Sequence, residues 1–167
     1  TQPYLENRLK HVKIAIDLGM DEGEHADAAR AYLTTMALRQ VEAGAAFIDL
    51  NVDEVAPKRA TQIAAMRWLV GLVGPVTPVP LSIDSSNLEI IEAGFDAHGG
   101  AGPTPMLNSA SLERLEALDL AVESGCDVIV TAAGDSGMPS GAEERVSNAT
   151  AMVEHATRRG IPRERIY

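Results

Sequence analysis

Pro80-Leu81-Ser82-Ile83-Asp84-Ser85-Ser86-Asn87 and Pro105-Met106-Leu107-Asn108-Ser109-Ala110-Ser111 decide the fold. Each reads as an apolar strand that ends in a carboxylate or an amide, followed by a small-residue turn into a helix. Ala46-Phe47-Ile48-Asp49-Leu50-Asn51 ends the same way. In a parallel βα fold the C-terminal ends of the strands open on one face, which is where such folds bind ligands. Asp84 and Asn108 are therefore expected to converge there. An acid beside an amide suits a heterocycle edge that carries both N–H donors and acceptors.

Working outward, strand and helix signals alternate with short spacers. Helices are expected over 24–43, from Pro57 to about Val73, from Ser86 to Gly94 or a little later, over 111–124 and over 140–159. Strands are expected over 45–51, 79–84, 104–109 and 127–132, with Ile166-Tyr167 beginning another. Ser86 with Glu89, and Ser140 with Glu143, have the spacing of capping boxes, and Ser111 reads as a third N-cap. Glycines after Glu42-Ala43, Glu92-Ala93 and Glu123-Ser124 recur as helix stops. Residues 1–23 fit a helix or a strand equally. This is the pattern of repeated βα units. A closed (β/α)8 barrel needs about 250 residues, so the 167 residues are expected to be a piece of a barrel, about half of it, forming one partial domain.

Composition narrows the function. Apolar residues make up 46% and aromatics 4%, so the core must be built from aliphatic side chains. The net charge of −10, without a basic stripe, argues against nucleic acid or an anionic membrane as partner. A single Cys126 forms no intrachain disulfide. A cytoplasmic location is the expectation. His11, His25, His98 and His155 share no metal-ligand spacing and read as surface residues, so no protein-bound metal is expected. Trp68 reads as packing, and the loop Asp135-Ser136-Gly137-Met138-Pro139 as a linker. No GxGxxG, Walker or GxSxG motif occurs.

Asp84 has two readings, a pocket group or an acid that complements a helix N-terminus. Asn108 is either a pocket group or a turn residue bonding its own backbone. Asp49 and Asn51 are assigned opposite faces of the sheet, so that only one lines the pocket.

Several segments together resemble the pterin-binding methyltransferases, the methyltetrahydrofolate:corrinoid enzymes and the matching domain of cobalamin-dependent methionine synthase. These are Ile48-Asp49-Leu50-Asn51-Val52, Ala65-Met66-Arg67-Trp68-Leu69-Val70, Leu81 to Asn87, Ile91-Glu92-Ala93-Gly94, Met106-Leu107-Asn108-Ser109 and Gly137-Met138-Pro139. They follow the family's order and spacing over about residues 30–167. The resemblance implies a pterin-type (β/α)8 barrel that transfers a methyl group between tetrahydrofolate N5 and the cobalt of a corrinoid protein. It implies tetrahydrofolate or methyltetrahydrofolate as substrate, and cobalamin on a partner corrinoid protein. It places Asp84 and Asn108 on the pterin, with Asn51, Asp49 and Ser109 lining the pocket. The Asn that activates N5 is expected beyond Tyr167. A homodimer is a candidate assembly. Dihydropteroate synthases share the barrel and the strand-end Asp and Asn. Their Gly-Gly-Glu-Ser-Thr-Arg-Pro-like pyrophosphate loop is replaced here by Asn51-Val52-Asp53-Glu54-Val55-Ala56-Pro57. A non-catalytic pterin-binding or partner-docking barrel is the remaining alternative.

Overall fold

The computed structural model describes residues 10–134 and 137–167. Helices α1 (His11–Met20) and α2 (Ala26–Glu42) lead into β1 (Ile48–Asn51), which α3 (Arg59–Val73) and a short 3-10 turn connect to β2 (Leu81–Asp84). Then follow α4 (Leu88–His98), β3 (Met106–Ala110), α5 (Glu116–Ser124), β4 (Asp127–Val130) and α6 (Ala142–Arg158). The four strands form one parallel sheet in chain order. Consecutive parallel neighbours joined by helices are what repeated right-handed βα units produce. Ile166 extends the arc by a parallel bridge to Val128, and Tyr167 exchanges backbone hydrogen bonds with Val128 and Val130. The expected start of a further strand is thus present. The stretch left open between 10 and 23 holds helix α1, while residues 1–9 lie outside the described ones.

One face of the sheet carries the core. Ile48, Leu50, Leu81, Ile83, Leu107 and Val128 are buried against Met66, Leu69, Val70, Ile90, Ile91, Leu118 and Met152 from the helices. Covering about 25 cal/mol of stabilisation per Å² of apolar surface, this aliphatic layer is what holds the strands in register. Trp68 packs against it, half-buried, as expected. His98 is a correction, because it is 8% exposed and ends α4 inside the fold.

Helix boundaries differ from expectation at four points. Asn87, not Ser86, caps α4, its side chain accepting from the Glu89 backbone N–H. Ser86 instead points its N–H and hydroxyl at Asp53. Residues 111–115 form turns, so α5 starts at Glu116 rather than at Ser111. Ser140 pairs with Glu144, not Glu143, and α6 starts after Gly141. Gly94 does not stop its helix. α4 continues to His98, and Gly99, with φ +56°, ends it. Gly94 serves a close approach instead, since a Cβ there would lie 2.6 Å from Ile83 Cγ2.

Candidate functional site: the open face of the sheet

The register decides which strand-end groups meet. Asp49 lies opposite Ser82 and Asn51 opposite Asp84, while Asp84 lies opposite Asn108. In a strand, residues two apart share a face. Asp49 and Asn51 are therefore both on the side away from the core, exposed, with buried Ile48 and Leu50 on the other. The assignment of Asp49 and Asn51 to opposite faces is corrected by this period of two.

The side chains interlock across the strands. Asn51 Nδ2 donates to Asp84 Oδ2 at 2.9 Å, while Asn51 Oδ1 accepts from the Asp53 backbone N–H at 2.9 Å. Ser82 Oγ donates to Asp49 Oδ1 at 2.6 Å, and Asn108 Nδ2 donates to the same oxygen at 3.2 Å. Asp84 and Asn108 stand side by side, as the sequence implied. Asn51 and Asp49 join them as orienting groups. Ser109 joins through its backbone, because its carbonyl accepts from Arg114 at a point where the β3–β4 register shifts. The Asn108–Ser109 peptide is cis.

Two further residues build the site and were not picked out from the sequence. Asp53, in the β1–α3 loop, accepts from Ser85 Oγ at 2.5 Å and from the Ser86 N–H and hydroxyl at 2.9 and 2.8 Å. Partial burial raises its pKa, but the hydrogen bonds from Ser85 and Ser86 and the charge of Arg114 outweigh that and leave it lowered. Arg114 donates to the carbonyls of Ser85 (3.1 Å), Ser86 (2.8 Å) and Ser109. The loop after β2 is thus tied on one side to a carboxylate and on the other to a guanidinium. An acid two residues past a strand-end Asn is the sequence signal that could have found Asp53, since the Asn51 turn aims it at the next loop.

This arrangement bears on the reading of Asp84 as an acid that complements a helix N-terminus. The role of an acid at the α4 N-terminus is filled by Asp53 and by the Asn87 cap. Asp84 is left on the open face with Asn51 as its described donor. Burial raises its pKa most, the Asn51 hydrogen bond opposes this, the charges of Asp49 and Asp53 add to it, and Arg114 opposes it; the net direction is upward. A carboxylate held beside two others invites a ligand that brings N–H donors.

A profile described as "Pterin binding enzyme" matches residues 14–167. The chain belongs to this family. The match begins ahead of residue 30, from which the resemblance in the sequence runs. Among curated proteins, a methylcorrinoid:tetrahydrofolate methyltransferase of Eubacterium limosum is 27% identical over 142 residues, covering 82% of this chain and 50% of that protein. A methionine synthase of Mycobacterium leprae is 25% identical over 130 residues, covering 73% of this chain and 10% of that protein. The chain spans about half the length of the first of these relatives. A solved 7,8-dihydropteroate synthase from Vibrio fischeri superposes with a TM-score of 0.62 at 18% identity, over 84% of this chain and 54% of that one. That likeness speaks for the fold, and the parallel α/β sheet is part of a TIM-type barrel.

Elsewhere, no group of three His, Cys, Asp or Glu among the described residues is placed to hold a metal ion. No described helix is long and apolar enough to cross a membrane. Of the 135–139 loop, Asp135 and Ser136 lie outside the described residues. Burial pushes the Cys126 thiol up to about 12, which leaves it an unreactive core group.

Proposed function

We propose that this chain holds the pterin of a methyltransferase that moves a methyl group between N5 of tetrahydrofolate and the cobalt of a corrinoid carried by a partner protein. The observation that carries the reading is the pairing of Asp84 with Asn108 on the open face, each turned outward by a donor or acceptor behind it. The methylcorrinoid:tetrahydrofolate methyltransferase and the methionine synthase among its relatives support it. The cobalt supplies the methyl acceptor or donor. What the described strand-end residues of this chain contribute is binding and orientation.

The residues fit a pterin. Its ring edge carries an amino group and ring N–H groups beside ring nitrogen acceptors. Asp84 accepts from the N–H groups, and Asn108 meets the adjoining edge with one carbonyl oxygen and one spare N–H. Asn51 holds the Asp84 carboxylate in orientation, and Asp49 does the same for the Asn108 amide. Rigid placement of the ring fixes N5, a poor leaving group whose proton or hydrogen bond must develop in the transition state.

Titration calorimetry of the full-length protein with tetrahydrofolate and methyltetrahydrofolate tests the pterin site. Micromolar binding that weakens in Asp84→Ala by roughly 10- to 150-fold, the equivalent of about 1.5–3 kcal/mol, is the expected result. A folded wild type that binds neither ligand refutes the site. Methyl exchange between the bound folate and a methylcorrinoid protein tests the reaction. Condensation of a pterin pyrophosphate in its place assigns the dihydropteroate synthase activity instead.

A further inference from the structure

We infer that the cleft between α4 and α5, at the end of the sheet opposite the strand-end site, binds an aliphatic diamine or polyamine. The inference uses none of the strand-end residues and stands apart from the pterin reading.

A helix that leads into the next parallel strand ends on the face away from the strand C-termini. α4 ends at His98 before Gly99, α5 ends at Ser124 before Gly125, and both last turns line one cavity of about 470 Å³. The last turn of a helix leaves carbonyls without partners in the helix, at the negative end of its dipole. Three carboxylates, Glu92, Asp96 and Glu123, add to that field, and no described lysine or arginine lines the cavity. Asp96 is held by Arg67 at 3.4 Å, whereas Glu92 and Glu123 have no ion pair among the described residues.

Exposed acids alone make a solvated surface. His98 adds a group with a defined need. It is 8% exposed, and nothing among the described residues hydrogen-bonds its ring. Neither ring nitrogen is sealed off, so the open part of the ring faces the cavity it lines. A polar side chain buried this far calls for a partner. The neutral imidazole has one acceptor nitrogen, and an ammonium N–H inside the cavity satisfies it.

Spacing selects the kind of cation. Glu92 and Phe95 share a face of α4, and Leu120 and Glu123 share a face of α5. Counted back from the two glycine caps, Phe95 and Leu120 stand at nearly one level. Glu92 lies about a turn to the N-terminal side of that level and Glu123 about a turn to the C-terminal side, so their carboxylates are offset by roughly 7–8 Å along the helices. An apolar layer therefore lies between two unpaired acids. A compact cation meets one end only, and no trio of His, Cys, Asp or Glu among the described residues is placed to hold a metal ion. A methylene chain with an ammonium at each end covers Phe95 and Leu120 and reaches both carboxylates.

Titration calorimetry of the full-length protein with spermidine, putrescine and butylamine, at physiological ionic strength, tests this. Spermidine and putrescine should bind, and butylamine should bind at least about tenfold more weakly. Glu92→Gln combined with Glu123→Gln should weaken spermidine at least about tenfold. Glu22→Gln combined with Glu42→Gln removes the same charge elsewhere and should change it by less than about twofold. All four acids are exposed, so both double variants should fold. In wild type the ring resonances of His98 should move as spermidine is added. Equal losses in the two double variants would mean diffuse attraction to an acidic protein and would overturn the site. So would butylamine binding as tightly as putrescine, His98 resonances that stay still while spermidine binds, or a folded wild type that binds no amine. None of these outcomes bears on tetrahydrofolate binding.

Discussion

Replacing Asp84 by Asn should separate ligand binding from folding. The substitution keeps shape and leaves an oxygen for the Asn51 amide, whose bond to Asp84 is 2.9 Å long. It removes one negative charge from a face that also holds Asp49 and Asp53. Burial and those two charges raise the Asp84 pKa from its ordinary value of 3.8. The folded protein therefore binds the Asp84 proton more readily than the unfolded chain. Stability gained from this group appears as pH falls through the raised pKa toward 3.8, and at neutral pH the ionised carboxylate opposes folding. Asp84→Asn should then be as stable as wild type or more so at pH 7, with the gain vanishing near pH 3. Ligand binding should move the other way. A hydrogen bond to a charged acceptor contributes about 1.5–3 kcal/mol and a neutral one about 0.5–1.5, so tetrahydrofolate should bind about 5- to 12-fold more weakly. Urea denaturation at pH 7 and pH 3, with calorimetric titration at pH 7, measures both quantities. A variant that loses stability at pH 7 while keeping its affinity would refute the reasoning, because Asp84 would then be a structural acid.

Three further outcomes follow from the same contacts. Asp53→Ala removes the acceptor of three hydrogen bonds from Ser85 and Ser86, and the hydroxyl of Ser85, a residue only 1% exposed, loses the group it donates to while still accepting from the Asn87 N–H. After allowance for its partial exposure to solvent, a loss of about 1–2 kcal/mol at pH 7 is expected in denaturant titration. Because the Asp53 pKa is lowered, this contribution exists above 3.8 and disappears as pH falls through the folded value, so variant and wild type should converge in acid. Arg114→Lys cannot reproduce a planar fork reaching three carbonyls, and should lower the thermal midpoint and weaken tetrahydrofolate binding together. Gly94→Ala would set a methyl 2.6 Å from Ile83 Cγ2 and 3.1 Å from Met66 Cγ, both in the core. Overpacking of about 1–3 kcal/mol, less about 1 from the better helix propensity of Ala, predicts a net destabilisation of about 0–2 kcal/mol in the same titration.

The strands were legible because each couples aliphatic residues to a polar end and a turn, and no other element explains that pattern. The helices were legible at their interiors, where Met66, Leu69, Val70 and Val73 recur on one face, and less so at their starts. Ser86 has the spacing of a cap, yet its N–H and hydroxyl go to Asp53, and the cap passes to Asn87. A capping spacing reports local chemistry, and a carboxylate from a loop 33 residues earlier overrides it. The same holds for Gly94, which has the sequence context of a stop but is small because α4 lies on β2. Of the site, Asp84 and Asn108 were readable from strand position alone. Asp53 and Arg114 were not, because their partners are backbone groups and hydroxyls brought near by the register. The two sides assigned to Asp49 and Asn51 fail on the pleat itself, whose period of two puts both on the open face.

Charge on this face bears on which reaction the fold serves. A pterin pyrophosphate substrate brings negative charge that the barrel must neutralise, and free cations would have to stand within reach of its phosphates. Asp49, Asp53 and Asp84 bring negative charge to the strand ends, and Lys13 lies close by with its ammonium on the Val55 carbonyl. Arg114, the guanidinium among them, spends its donors on three backbone carbonyls. In the loop that follows β1, Glu54 is bound by Lys10 at 2.5 Å, and Arg59, just beyond, is bound by Glu89 at 3.1 Å. These carboxylates set negative charge beside a bound pterin pyrophosphate and beside a ring with several N–H groups alike, repelling the first and accepting from the second. Methyltetrahydrofolate meets that description, with its carboxylates at the far end of a long tail. If a pterin pyrophosphate bound as tightly as methyltetrahydrofolate at low salt, where surface charge acts most strongly, the preference argued from these carboxylates would be wrong. A weaker affinity that recovers as salt rises is the result these charges require.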